Sequence, residues 1–326
     1  LKAQGKTVHL GGNIGRALLP IVEQIQETDV AVAELSSFQL ISMRQSPDVA
    51  VITNVSPNHL DVHKDMEEYI QAKTNILLHQ NAFSKAILNM DNEVTHSMSR
   101  YVRGRLMEFS RRSVPASGAY LGEDGFLYMV ENGKETKILH KDEIFLPGLH
   151  NVENYLAAIS AVYGEVDIHN IQKVAQTFKG VEHRIEFVRE LHGVKWYNNS
   201  IASSPTRTIA ELNSFDQKLI VISGGYDKNI PYEPLAPKLI EKAKILILMG
   251  NTGPKIEKAV KECAGYQPDM PKILHAADME KAVTLAYAAA EPGDIVTLSP
   301  ASASFDLYPN FEVRGRHYKS LVNALQ

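Results

Sequence analysis

Short apolar, β-branched runs alternate along the chain with longer stretches of helical spacing, the pattern of α/β units on a mainly parallel sheet. In the first half the runs Val30–Ala33, Val49–Asn54 and Ala86–Asn89 predict strands. Each gives way to polar or turn residues, Glu34-Leu35-Ser36-Ser37, Val55-Ser56-Pro57-Asn58-His59 and Met90-Asp91. Ligands of open α/β sheets bind beyond the carboxyl ends of the strands, so Glu34, Ser36, Asn54 and His59 stand where chemistry is expected. Residues 119–145 break the pattern. Two turn signals, Glu-Asp-Gly and Glu-Asn-Gly, separate strand-like runs and predict a small antiparallel meander. A helix is expected from Asn151 to Tyr163, rich in alanine. The second half predicts buried strands at Leu219–Ser223, Ile245–Met249 and Ile295–Leu298, with helices near 205–213, 233–243, 254–264 and 278–290.

The 326 residues suggest two domains at about 150 residues each, with a boundary near Gly180: 1–180 and 181–326. A net charge of −4 argues against a general nucleic-acid binder. No run approaches the roughly 18 apolar residues of a membrane span, and the amino-terminal LKAQGKTVHLGG has no apolar signal core. The single cysteine, Cys263, excludes an intrachain disulfide framework and a Cys-rich zinc site. A cytoplasmic monomer is the expectation. The chain opens without Met, which suggests that the authentic amino terminus is missing.

Glu34, His59 and Lys73 form the first candidate constellation. A carboxylate and an imidazole at adjacent strand ends suit a divalent cation, although a surface Glu, a loop His and a solvated Lys explain the spacing as well. His59, Asp61 and His63 alternate as in metallohydrolases, which would demand three protein ligands and a water; a polar turn is the simpler reading. Gly5-Lys6-Thr7 resembles the end of a phosphate-binding loop, but it leads into a strand-like run rather than a helix and is rejected. Gly11-Gly12-Asn13-Ile14-Gly15 permits close backbone approach. Asn151 and Asn154, three apart, share a helix face, and paired carboxamides read a purine edge. Gly224-Gly225-Tyr226-Asp227-Lys228 and Leu298–Asp306 follow two strands of one sheet and together are expected to line one crevice suited to a small acidic ligand.

Taken in order, GGNIG (11–15), AELSSFQL (33–40), ITNVSPNHLD (52–61), YIQAK (69–73), LPGLHNVENYLAA (146–158), EHRIEFV (182–188), SGGYDK (223–228) and LSPASASFDLYPNFEVRG (298–315) resemble the Mur ligases, the ATP-dependent amino-acid-adding enzymes of peptidoglycan synthesis. The last motif resembles that of the D-glutamate-adding branch. The resemblance implies a central ATPase domain (a parallel sheet plus the meander) followed by a Rossmann-like, amino-acid-binding domain. It also implies that the family's phosphate-binding loop and UDP-binding domain lie upstream, so that this chain alone is expected to be inactive.

Roles follow for the matching positions. Glu34, His59 and Lys73 are expected to hold two Mg2+ ions, with Lys73 carboxylated on its amine. Asn13, Ser36 and Gln39 correspond to positions near the muramoyl substrate. Asn151 and Asn154 correspond to adenine contacts, Arg184 to a phosphate contact and Asn199 to a ribose contact. Ser203, Lys228, Ser304, Phe305 and Phe311 correspond to the D-glutamate pocket, the two Phe through their backbone. Two departures stand out. Asn199 replaces the Asp, and Ile201 the Lys, of the family's Asn-Asp-Ser-Lys-Ala-Thr-Asn motif. The implied reaction joins D-glutamate to UDP-N-acetylmuramoyl-L-alanine through an acyl phosphate made from ATP. Two alternatives stay open: a superfamily ligase of the folylpolyglutamate synthase type, and a metal-dependent hydrolase on His59, Asp61 and His63.

Overall fold

The computed structural model describes residues 1–15, 17–56 and 63–326. They divide into two compact units, one of residues 1–145 and 149–178, the other of 146–148 and 179–326.

The first unit opens with parallel strands β1 (Val8–Gly12) and β2 (Val30–Glu34). The short helix α1 (Ser37–Leu40) follows. A second parallel sheet comprises β3 (Val49–Ile52), β4 (Lys85–Asn89) and β5 (Arg105–Phe109) in that order. Between β3 and β4 runs α2 (Met66–Leu78), capped by the Asp65 side chain, which accepts from the Glu68 N–H. It packs Tyr69, Ala72 and Leu77 on Ala50, Ile52, Ala86 and Leu88. A short α3 (Glu93–Ser97) leads to β5.

The meander is β6 (Gly118–Leu121), β7 (Phe126–Glu131) and β8 (Lys134–His140), antiparallel throughout. Asn132 and Gly133 turn β7 into β8 with φ of 53° and 71°, the mirror-image turn that matches strand twist and favours Asn-Gly. Helices α4 (Leu149–Val162) and α5 (Ile168–Thr177) complete the unit.

The second unit is built on a six-stranded sheet. Its strands are β9 (Glu186–Leu191), β10 (Val194–Asn198), β11 (Leu219–Gly224), β12 (Ala243–Met249), β13 (Lys272–His275) and β14 (Ile295–Leu298). The order is β13-β12-β11-β14-β10-β9, parallel except for β9 against β10. Its helices are α6 (Pro205–Leu212), α7 (Ala236–Lys242), α8 (Gly253–Glu262), α9 (Met279–Ala289) and α10 (Phe311–Ala324). Leu219 and Val221 enter one core with Leu212, Leu239 and Val260, whereas Ile220 and Ile222 enter another with Val283, Tyr318 and Val322. The sheet is therefore covered on both faces, which is why its central strands read as unbroken apolar runs.

The last strand in sequence, β14, lies between β10 and β11. The Asn199 N–H donates to the Leu298 carbonyl and the Ser299 N–H to the Ile222 carbonyl, both at 2.9 Å. Three strand ends thus emerge side by side at the carboxyl edge.

Helix α10 carries a glycine, Gly315, in its middle, a costly choice for a helix. Packing requires it. A Cβ there would lie 2.2 Å from His183 Nδ1.

Candidate functional site

In the first unit, register sets the geometry. Gly12 pairs with Glu34, so Asn13 and Glu34 leave the sheet together, and the Asn13 N–H donates to the Glu34 carbonyl at 2.8 Å. Gly12 has φ +111°, and a Cβ would meet the Glu34 carbonyl oxygen at 2.3 Å. Only glycine allows that approach. The Asn13 and Glu34 side chains are exposed, as is Asn54 beyond β3. Ser36 and Gln39 close a capping box. Ser36 Oγ accepts from the Gln39 N–H, and Gln39 Oε1 accepts from the Ser36 N–H at 2.9 Å. These two residues therefore fix one turn and present it as a unit.

Lys73 is half-buried on α2, its Nζ 5.1 Å from the centre of the Tyr69 ring. Burial draws its ammonium below the usual lysine range, and the negative charge of Glu34 acts against that shift. The structure thus couples Lys73 to Glu34. A less basic amine supplies more of the neutral form that adds CO2. His59 and Asp61 lie outside the described residues.

His63 corrects the hydrolase reading. It is 4% exposed, its Nε2 is 2.9 Å from Ser37 Oγ, and its ring lies between Phe38 and Tyr69. Its Nδ1 stands 3.6 Å from Glu68 Oε2, so among the described residues both ring nitrogens face polar partners inside the unit.

Asn151 and Asn154 lie in the first turns of α4, as expected from their spacing. Asn154 Nδ2 donates to Asn151 Oδ1 at 3.3 Å, with Asn151 buried and Asn154 exposed. Beside them Glu153 Oε1 accepts from Arg111 Nε at 2.5 Å.

In the second unit the loops that follow β11 and β14 meet. The Gly224 N–H donates to the Pro300 carbonyl at 2.8 Å and the Tyr226 N–H to the Ala303 carbonyl at 2.9 Å. These bonds join the loop after β11 to the loop after β14. Thr252 Oγ1 binds both the Gly225 backbone and Ser302 Oγ.

Arg314, 1% exposed, ties in two further segments. Its Nε donates to Ser200 Oγ at 3.0 Å and its Nη2 to the Ser200 carbonyl at 2.8 Å. Its Nη1 donates to the Ser302 and Ala303 carbonyls at 3.1 and 2.9 Å. Burial draws its pKa to about 10, so it remains a cation at neutral pH. Ser200 Oγ in turn donates to the Phe311 carbonyl at 2.8 Å.

Ser203, Ser304, Phe305 and Phe311 belong to these joined segments. Lys228 is exposed, 5.8 Å from the Phe305 ring centre. Its neighbour Asp227 is paired with Lys255, whose hydrogen bond holds the carboxyl below the usual range.

Arg184 occupies a turn fixed from several sides. His183 and Ile185 have φ of 66° and 45°, strained for non-glycine residues and most of all for a β-branched one. Asn198 Nδ2 donates to His183 Nδ1 and to Glu186 Oε2, each at 2.9 Å. The Ile185 N–H donates to Asn199 Oδ1 at 3.3 Å. Arg184 itself is exposed. Among the described residues, Glu182, His183 and Glu186 form a group compact enough for a metal. Lys319 Nζ already bridges the two carboxylates, at 2.7 and 2.8 Å.

Asn199 is 4% exposed and its carboxamide is committed inside the unit. Its Nδ2 donates to Glu211 Oε2 at 2.6 Å. Direct ribose contact would require it to leave these partners. Glu211 lies on the buried face of α6 with Thr208 and Leu212, and Thr297 Oγ1 donates to its Oε1 at 2.5 Å. Burial raises its pKa to about 7, against 4.5 for an exposed glutamate.

The stability this group supplies is complete below the unfolded pKa and is lost as pH rises through the folded one. Relative to E211Q, the protein is expected to lose about 3 kcal/mol of unfolding free energy between pH 4 and 8. Urea denaturation across that range measures the difference; parallel curves would refute it.

Arg314 and Glu211 were not among the candidate site residues. Arg314 lies within a quoted motif, and its invisible feature was burial. Glu211 reads as an ordinary helix carboxylate until its spacing from Thr208 and Leu212 places it on the apolar face.

Comparison with known proteins adds to this geometry. The Mur ligase middle domain matches residues 14–162. The Mur ligase glutamate ligase domain matches residues 183–302. The UDP-N-acetylmuramoylalanine–D-glutamate ligase of Acetivibrio thermocellus is 54% identical over the whole of this chain, which spans 70% of that relative. The protein of the same name from Clostridium acetobutylicum is 50% identical with the same coverage. Among solved structures, MurF from Acinetobacter baumannii aligns with a TM-score of 0.66 at 15% identity, over 98% of this chain and 77% of that one. The UDP-N-acetylmuramate–alanine ligase MurC of Thermotoga maritima gives 0.63 at 16%, over 99% and 77%. These structures share the fold. No helix among the described residues is long and apolar enough to cross a membrane.

Proposed function

This chain belongs to the Mur ligase family, and we propose that it carries the ATP-dependent addition of D-glutamate to UDP-N-acetylmuramoyl-L-alanine in peptidoglycan synthesis, as a cytoplasmic monomer. The observation that carries the reading is the joining of the loops after β10, β11 and β14 to the start of α10 around Arg314. It brings segments bearing Ser203, Lys228, Ser304, Phe305 and Phe311 together above one buried cation. Hydroxyls, a lysine and backbone N–H groups suit a dicarboxylate amino acid.

The reaction runs in two steps. The terminal carboxylate of the muramoyl-alanine attacks the γ-phosphorus of ATP, and ADP leaves. The amine of D-glutamate then attacks the carbonyl carbon of the acyl phosphate, a tetrahedral intermediate collapses, and phosphate departs as the amine loses its proton. Asn151 and Asn154 hold the adenine, and Arg184 neutralises phosphoryl charge, the main requirement of such a transfer. Asn13, Ser36 and Gln39 orient the muramoyl substrate.

Glu34 and Lys73 fit a hard divalent cation once the lysine is carboxylated, with His59 as the further ligand. Magnesium, when bound, supplies charge neutralisation at the phosphates. The neutral Lys73 amine adds CO2 to give a carbamate and a proton, turning a cation into an anionic ligand.

The test is phosphate release by the complete polypeptide carrying this sequence, with ATP, magnesium and UDP-N-acetylmuramoyl-L-alanine. Release that needs D-glutamate and fails with L-glutamate or L-alanine is the expected result. Release with another amino acid, or none at all, overturns the reading. In the same assay K228A is expected to raise the D-glutamate KM at least tenfold, roughly the loss of one charge-assisted hydrogen bond, and to leave the ATP KM nearly unchanged. Equal effects on both would remove Lys228 from the pocket.

A further inference from the structure

We infer that Glu211 is a positioning residue for the nucleotide end of the reaction: through Asn199 it holds the strained 183–186 turn that presents Arg184. The inference rests on the reading of Arg184 as a phosphate contact.

Ile185 is β-branched and sits at φ 45°. Such a conformation persists only where its surroundings hold it. The hold on its N–H is Asn199 Oδ1. A carboxamide has one oxygen and one NH2 group, and nothing in its own shape decides which faces the turn. Glu211 decides it. Once ionised, Glu211 accepts and does not donate, so the NH2 group of Asn199 faces Oε2 and the oxygen faces Ile185. Glu211 is oriented in its turn by Thr297 Oγ1 on β14, and Thr208 Oγ1, from the same helix face, is 3.0 Å from Ser299 Oγ. The chain of contacts runs from the sheet edge through α6 to the turn, entirely inside one unit.

The pair also accounts for the departure at position 199. With Glu211 ionised, above about pH 7, Asp at this position would set two carboxylates against each other where Asn199 and Glu211 now meet. Asn199 and Glu211 thus form one reciprocal solution. Its reverse, an acceptor at 199 facing a donor at 211, would hold the Ile185 N–H equally well.

That reversal is the experiment. In the complete polypeptide carrying this sequence, ATP affinity with magnesium is measured by equilibrium titration, and the D-glutamate KM by phosphate release, below the melting range of every variant. R184A serves as reference. E211L, which removes the acceptor, and N199D, which opposes two carboxylates, are each expected to weaken ATP roughly tenfold, as a small misplacement of a positioned group does. The D-glutamate KM should stay within about threefold of wild type, below the tenfold that a lost contact costs. E211Q keeps an acceptor and should bind ATP like wild type. The double variant N199D/E211Q should regain the affinity that N199D loses.

If R184A weakens ATP and E211L does not, Glu211 is structural only and the inference falls while the functional reading stands. An unrescued double variant, or a D-glutamate KM that rises in step with the ATP Kd, also overturns it. If R184A itself leaves ATP binding unchanged, the reading of Arg184 fails and the inference fails with it.

Discussion

If Lys73 has the proposed carbamate role, replacing it with alanine is expected to lower kcat by about a thousandfold, as losing an anionic ligand beside transferring phosphate would. Charge alone cannot explain such a loss, and K73R tests the point. A guanidinium keeps the cation that faces Glu34 but stays protonated and does not add CO2. K73R should therefore be as inactive as K73A. In wild type, 13C-labelled bicarbonate should yield a carbamate resonance that both variants lack. Substantial activity in K73R would show that Lys73 acts as a plain cation. Desolvation draws the Lys73 ammonium below the usual lysine range despite the pull of Glu34, whereas a cation serving as a permanent partner is usually placed where its charge is stabilised.

Loss of Arg314 is expected to cost the second unit about 3–5 kcal/mol, the sum of a few charge-assisted hydrogen bonds and the buried acceptors they leave unpaired. R314M would leave the Ser200 and Ser302 carbonyls without their guanidinium donors, and the Ala303 carbonyl with the Tyr226 N–H alone. The Ser200 segment would lose its tie to the loop after β14, and D-glutamate should then saturate the enzyme only at higher concentrations than suit the wild type. R314K should recover only part of the stability, because one ammonium cannot reach acceptors spread along a planar fork. Chemical denaturation reads the first effect and D-glutamate titration the second. A cost below about 1 kcal/mol, the worth of one ordinary hydrogen bond, would mean that the loops hold their places without the guanidinium.

Much of this architecture was legible in the residues. Central strands β11, β12 and β14 are buried apart from Lys244, so their sequences are almost continuously apolar. The meander announced itself through its turns. Glu34 and the loops after β11 and β14 were found because they follow strands. Other parts were hidden for identifiable reasons. Strand β9, Glu186–Leu191, is an edge strand that mixes three apolar with three charged residues and shows no clear alternation. Helix α10 contains Gly315, which reads as a breaker until the close approach of His183 explains it. The capping box of Ser36 and Gln39 escaped because α1 is a single turn. Asn199 read as a weakened ligand because its partner Glu211 lies twelve residues away on another element. Local pattern reports periodicity and turns; it does not report which polar atoms meet inside a folded unit.

The two-residue turn at Asn132 and Gly133 has a practical use. Both residues are exposed, nothing lies within 4 Å of where a Gly133 Cβ would stand, and strands β7 and β8 carry none of the candidate site residues. Hairpin tips of this kind accept inserted sequence at little entropic cost. An epitope or a dye-labelling peptide placed there would give a handle on the first unit that leaves the strand ends untouched, and natural length variation among relatives is expected to collect at the same point.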